Sequence, residues 1–271
     1  MKSEHSGLRT GLLFAALVSS VPLAPAMAAV APPLGTAGGF AVLGTNSIPV
    51  AGTVTCTTST INGDVGSTFN SITNTGCTIN GTVVAPVPAS VVNDFNNAYA
   101  AADLLNPVCD GVIPIVTSTL APGVYCSDAG TTIGAGVILT LSGGVNDVWV
   151  FKVGTGPTGG ALTGNSFQVV MDGGAQACNV YWWTADAATL TDSSFLGTIL
   201  AGSAVTVTRG DYLGRAMATT DVTVTDVDPL TFAGCEGPPA FLVPSLSEWG
   251  MMMLAGLLAV LGVAAVRRLS S

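Results

Sequence analysis

Three stretches decide how this chain is read: Ala188-Thr189-Leu190-Thr191, Val205-Thr206-Val207-Thr208 and Val222-Thr223-Val224-Thr225. Each alternates an apolar residue with threonine, the period-2 pattern of a half-buried strand. Thr189, Thr206 and Thr223 are spaced by 17 residues, and so are Thr191, Thr208 and Thr225. The same short strand returning at a fixed interval predicts a solenoid in which each coil lays one strand on the last. Leu190, Val205, Val207, Val222 and Val224 then point inward. The threonines form an outward two-column grid with rows about 4.7–4.9 Å apart.

The rest of the coil repeats with the strand. Phe195 and Tyr212 are 17 residues apart, as are Gly197 and Gly214. Further short strands surround this region: Gly39–Gly44, Thr53–Thr57, Ser59–Gly66, Thr78–Val84, Ser118–Tyr125, Ile138–Leu141, Val148–Val153 and Phe167–Met171. Short strands broken by Gly and Asn suit all-β coils. One segment breaks the pattern. Val91, Val92, Phe95, Ala98, Tyr99, Ala102 and Leu105 fall on one helical stripe, which predicts a helix over Ser90–Leu105 with Ser90 as N-cap and Asn106-Pro107 as its stop. Its apolar face needs cover, most simply the flank of the solenoid.

Composition removes whole classes of function. The only histidine is His5, so residues 29–239 hold none, which excludes Ser-His-Asp and Cys-His catalysis and any His-ligated metal there. Lys152, Arg209 and Arg215 are the basic residues of 29–239, against Glu236 and thirteen Asp. Phosphate contacts need clustered Lys and Arg, so nucleic acid is not a partner. Most of the Asp residues sit in turn contexts such as Asn62-Gly63-Asp64 and Met171-Asp172-Gly173. Charged residues make up 8% of the chain, against roughly 25% in an ordinary domain, so Thr, Ser, Asn and Gly must supply the wet surface. No metal-binding loop spacing occurs, and neither a metal nor a cofactor is expected.

The two ends are targeting segments. Lys2 and Arg9 precede the apolar run Gly11–Val18 and the small-x-small site Ala26-Met27-Ala28, which reads as a signal peptide over residues 1–28. The single mature domain then covers 29–239. Cys56, Cys77, Cys109, Cys126, Cys178 and Cys235 remain in it, an even count that implies disulfides in an exported protein, with 15 possible pairings. Sequence proximity favours Cys56–Cys77 and Cys109–Cys126, leaving Cys178–Cys235.

At the other end, residues 240–271 carry Val243-Pro244-Ser245-Leu246-Ser247-Glu248-Trp249-Gly250, the apolar run Met251–Val266 and Arg267-Arg268. An apolar segment closed by arginines stops in the membrane with the basic cluster on the cytoplasmic side. This tail resembles the IPTL-CTERM sorting signal of Gram-negative bacteria, departing from it by Val-Pro-Ser-Leu in place of Ile-Pro-Thr-Leu. The resemblance implies transient anchoring in the inner membrane, processing by an exosortase-type sorting enzyme, and a protein held at the cell surface or secreted.

Taken in order, Gly39–Leu43, Ile61-Asn62-Gly63-Asp64-Val65-Gly66, the helix Ser90–Leu105, Leu120-Ala121-Pro122-Gly123-Val124-Tyr125, Trp149–Phe151, Asn179-Val180-Tyr181-Trp182, Phe195–Ala201 and Gly214-Arg215-Ala216-Met217-Ala218 resemble the microbial ice-binding protein family. The resemblance implies an all-β, right-handed discontinuous β-solenoid of triangular cross-section with one long α-helix packed alongside. It also implies a non-enzymatic, monomeric protein that adsorbs to an ice crystal surface through one flat face. The candidate ice-binding residues are Thr189, Thr191, Thr206, Thr208, Thr223 and Thr225. A neighbouring face carrying Thr198, Ser203 and Thr219 is the alternative. Arg209 and Asp226 directly follow two of the threonine pairs, and bare charges there would blunt an ice face. Outward Thr also arises from β-propensity alone. Two further readings stay open: a structural or adhesive surface domain on the same fold without ice activity, and a polysaccharide-cleaving solenoid with convergent Asp.

Overall fold

A computed structural model of the chain describes residues 28–45 and 52–232. Its strands join in one 19-stranded sheet, and the strand pairs are parallel. The strand Ala188–Ala201 lies on Val205–Ala218 in unbroken 17-residue offset, from Ala188↔Val205 to Ala201↔Ala218. The sequence period is therefore one complete coil. Each such strand bends twice. After the threonine stretch, Asp192 and Arg209 take left-handed φ values of 50° and 57°. The second bend falls at Gly197 and Gly214, where backbones touch: a Cβ on Gly214 would lie 1.9 Å from the Gly197 carbonyl oxygen. With the turn at 202–204 the coil has three sides.

The coils do not stack in chain order. On the threonine side the order is Thr131–Ile133, Leu162–Asn165, 188–191, 205–208, 222–225, Val54–Thr57, Thr73–Thr75. The last C-terminal coil thus receives the first N-terminal ones. Val222–Thr231 supplies two sides of a coil whose third side is Phe40–Gly44, which pairs with 216–218 on one edge and Asp64–Ser67 on the other. Side chains close this seam. Asp221 Oδ1 accepts from the Thr53 N–H (2.9 Å) and hydroxyl (2.7 Å), and Ser59 Oγ accepts from the Val227 N–H (3.0 Å). Stacking the two halves covers sheet edges that would otherwise be exposed.

The inward residues follow the sequence parity: Leu190, Val205, Val207, Val222 and Val224 are buried. Along the axis runs a column of rings, Tyr125, Phe151, Trp182, Phe195 and Tyr212, with successive centroids 5.6, 3.9, 5.1 and 5.1 Å apart. Its polar atoms are satisfied internally: Trp182 Nε1 donates to Leu196 O (3.2 Å) and Tyr212 Oη to Arg215 O (2.6 Å). Cys56–Cys77 and Cys109–Cys126 are bonded as proximity suggested. Cys178 is also disulfide-bonded; its expected partner, Cys235, lies outside the described residues. So do residues 1–27 of the expected signal peptide and the tail 240–271 with its apolar run. Among the described residues, no helix is long and apolar enough to cross a membrane.

The helix runs Ala89–Leu104, one residue earlier than expected at each end. Ser90 is not its N-cap. Pro88, extended at ψ 150°, occupies that position, and no side chain caps the helix there. A proline suits this end because the first turn's N–H groups lack partners anyway. Val91, Phe95, Ala98 and Ala102 are buried, and Val91, Phe95 and Ala102 cluster with Trp183, Leu200 and Met217 on the third side of the solenoid. Leu105, included in the expected stripe, is exposed because the helix has ended. At that end the buried Lys152 Nζ donates to Asn106 O (3.0 Å) and pairs with Asp103 (2.5 Å), a cation set against the negative end of the helix. Asn106 Nδ2 donates to Ala102 O (3.0 Å) and Val30 O (3.1 Å), while its Oδ1 accepts from the Val30 N–H (2.9 Å). One carboxamide both terminates the helix and clamps the start of the domain.

Candidate functional site

The expected grid exists and is larger than its repeat. Thr189, Thr206 and Thr223 form consecutive rows, as do Thr191, Thr208 and Thr225. The register then crosses the seam to Thr55 and Thr57, and on to Thr73 and Thr75. At the other end it continues to Thr163 with Asn165, and to Thr132. The first column is Thr132–Thr163–Thr189–Thr206–Thr223–Thr55–Thr73, and the second is Asn165–Thr191–Thr208–Thr225–Thr57–Thr75. All these side chains reach solvent and none is charged. Rows stand about 4.8 Å apart and columns about 6.7 Å apart, over a length of about 29 Å.

The core beneath holds the face in place. Between the columns Ile133, Leu190, Val207, Val224 and Cys56 are buried, while Asn74 in the end row is exposed. Gly164 fills that position where the Phe167 ring needs it: a Cβ there would sit 2.2 Å from the ring. The Cys56–Cys77 bridge ties the row of Thr55 and Thr57 from below.

Both rims carry charge, and it is engaged. Asp192, Arg209, Asp226 and Thr58 occupy the corner after the second column. Arg209 Nε and Nη2 donate to the Asp192 carboxylate at 2.5 and 2.8 Å, and the Asp226 carboxylate accepts from the Thr58 hydroxyl. The guanidinium hydrogen bonds hold the Asp192 carboxyl below its usual range, and the same contact raises Arg209. On the opposite rim Asp221 is held by Thr53.

Neither other side offers such a surface. On the second side, Gln168, Ser194 and Asp211 lie in register, Leu213 pairs with Thr231, and the ladder shifts register between Gly210 and Tyr212. The third side is covered by the helix. Thr198, central to the alternative face, is fully buried there and accepts from Arg215 Nη1 (3.2 Å). Ser203 and Thr219 belong to turns, where Thr219 Oγ1 donates to Gly202 O (2.5 Å). That alternative is therefore corrected: its residues make no open face. Arg215 itself lies over the Phe232 ring at 3.9 Å and donates to Gly38 O, and burial lowers its pKa to about 10.

Together these features define a class: a discontinuous parallel β-solenoid with one helix-covered side and one bare, uncharged side gridded with threonine. The profile of the Ice-binding-like family matches residues 48–228, and the chain belongs to that family. The profile of the IPTL-CTERM motif matches residues 243–268. Ice-binding protein K3-B1 of Typhula ishikariensis is 31% identical over 223 residues, covering 71% of this chain and 86% of that protein. An ice-binding protein of Flavobacterium frigoris (strain PS1) is 36% identical over 120 residues, covering 43% of this chain and 41% of its own length. The domain of Shewanella frigidimarina ice-binding protein 1 superposes with a TM-score of 0.63 at 29% identity, covering 77% of this chain and all of that domain. A crystal structure of an ice-binding protein from an Antarctic Flavobacteriaceae bacterium gives 0.65 at 28% identity, covering 77% of this chain and 49% of that one. The chain thus spans less than half of two of these relatives.

Sequence reasoning missed Thr55, Thr57, Thr73, Thr75, Thr132, Thr163 and Asn165 as face residues. Thr55 and Thr57 were visible as an alternating strand. Their place on the grid was not, because the coils they join are distant in the chain. Thr163 precedes Thr189 by 26 residues and Thr132 precedes Thr163 by 31, so the fixed period fails there.

Proposed function

We propose that this protein is exported and adsorbs to ice through the threonine face, without catalysis and without a cofactor. The observation that carries the reading is the uninterrupted register of the two columns, from Thr132 to Thr73 and from Asn165 to Thr75. Ice presents a periodic array of oxygens and no net charge. Each threonine sets a hydroxyl beside a methyl on a stiff, β-branched stem. Rows repeated on a rigid frame can order water into an ice-like layer before contact. Each contact is weak, but all act at once on one body, as in multivalent binding. Adsorbed molecules pin the growth front and suppress recrystallisation.

The ends fit a surface protein. The signal peptide over residues 1–28 directs export. The tail holds the chain in the inner membrane through 251–266, with Arg267 and Arg268 inside, until an exosortase-type enzyme processes it. The mature domain acts as a monomer. The test is ice-recrystallisation inhibition by the segment 29–239. Inhibition at micromolar concentration is expected; its absence would leave a structural surface domain on the same fold.

A further inference from the structure

Arg209 is the only exposed cation among the described residues, since Lys152 and Arg215 are buried. It directly follows Thr208 in the second column. Its backbone is left-handed, with φ 57°. Asp visits that region readily and Arg does not, so the corner holds an unfavourable residue at the edge of the proposed site. Its side chain does not extend over the threonines. The guanidinium lies along the corner, forked onto the Asp192 carboxylate one coil away, at 2.5 and 2.8 Å. Asp226, one coil away on the other side, attracts it as well and is itself held by the Thr58 hydroxyl.

We propose that Asp192 acts as a positioning residue that masks Arg209, keeping a hydrated charge off the second threonine column so that the face can bind ice. The inference rests on the ice-binding reading above. A free guanidinium orders water around its own charge, in a pattern that competes with an ice-like layer, and its long stem reaches over Thr191, Thr208 and Thr225. Forked onto Asp192, it has fixed orientation and a neighbouring countercharge. Being exposed, the pair adds little to folding stability. Its loss is therefore read in adsorption and not in unfolding.

The experiment compares purified protein with Asp192→Asn, Arg209→Lys and the double variant Asp192→Asn/Arg209→Asn in recrystallisation inhibition, with thermal unfolding measured alongside. Asn keeps the left-handed corner accessible. Asp192→Asn is expected to raise the minimal inhibitory concentration about tenfold or more, since several rows lose contact together. The double variant removes the unmasked charge and restores wild-type inhibition. Arg209→Lys, which keeps the charge but not the fork, falls between. Wild-type inhibition by Asp192→Asn overturns the mask, and so does a double variant as defective as the single one, which would mark a purely structural effect. Should Asp192→Asn fail to fold, full activity of Arg209→Lys overturns it independently. A wild-type protein that inhibits nothing refutes the ice-binding reading, and the mask with it.

Discussion

Replacing Thr206 by tyrosine tests the face at its centre. Thr206 is the fourth of seven rows in the first column, with Thr189 and Thr223 directly beside it and Thr208 in the same strand. A tyrosine there projects several ångströms beyond the plane of the threonines. Dispersion contact falls by a quarter to a half when surfaces part by about 0.5–1 Å. A rigid face lifted several ångströms at its middle therefore loses contact over the flanking rows. At best one half of the column, Thr132–Thr163–Thr189 or Thr223–Thr55–Thr73, can engage at a time. If the rows contribute equally, about half of the adsorption free energy is lost, and inhibition falls by more than about tenfold. Stability changes little, because tyrosine suits a strand and the site faces solvent: about 0.5 kcal/mol or less, or about 1–2 °C in Tm. The assay is recrystallisation inhibition across a concentration series, with Tm by circular dichroism. Thr119→Tyr, on the exposed second side, is the control and should change neither. Full activity of Thr206→Tyr would refute the assignment of the face.

Three further outcomes follow from the same geometry. Thr73→Tyr should reduce inhibition, though less than Thr206→Tyr, because Thr73 is an end row reached only across the seam; no effect would mean that ice contact stops short of that last row. Asn106→Ala removes the clamp on Val30 and the bond to Ala102 O, costing about 1–3 kcal/mol, and a Tm lowered by roughly 3–10 °C in a thermal melt is the expected result. Acidification should act late. Asp192 has a folded pKa below the usual 3.8, so its bonds to Arg209 are fully present above that value and lost as pH falls through the depressed one. Inhibition should hold from neutral pH down to about pH 4 and decline only below it; a decline starting near pH 6 would contradict the assignment.

The sequence alone determined what is local and periodic. The 17-residue coil was legible because 188–201 and 205–218 are consecutive turns of equal length. Parity then told inward Leu190, Val207 and Val224 from outward Thr189, Thr206 and Thr223. The helix showed through its 3.6-residue stripe, misplaced by one residue because Pro88, and not Ser90, precedes its first turn. Near neighbours in sequence gave two disulfides. Tertiary structure alone decided which face is bare. Thr198 and Thr206 look alike as residues in strands, but the helix and the segment before Phe40 cover the side that holds Thr198. It also decided how long the grid is, since Thr223 meets Thr55 only when the end of the domain docks on its beginning. Arg209 looked like a flaw in the face until its carboxylate partner stood one coil away. Pairing between coils depends on where corners and insertions place whole strands, and that is a property of the stack and not of any window of the chain.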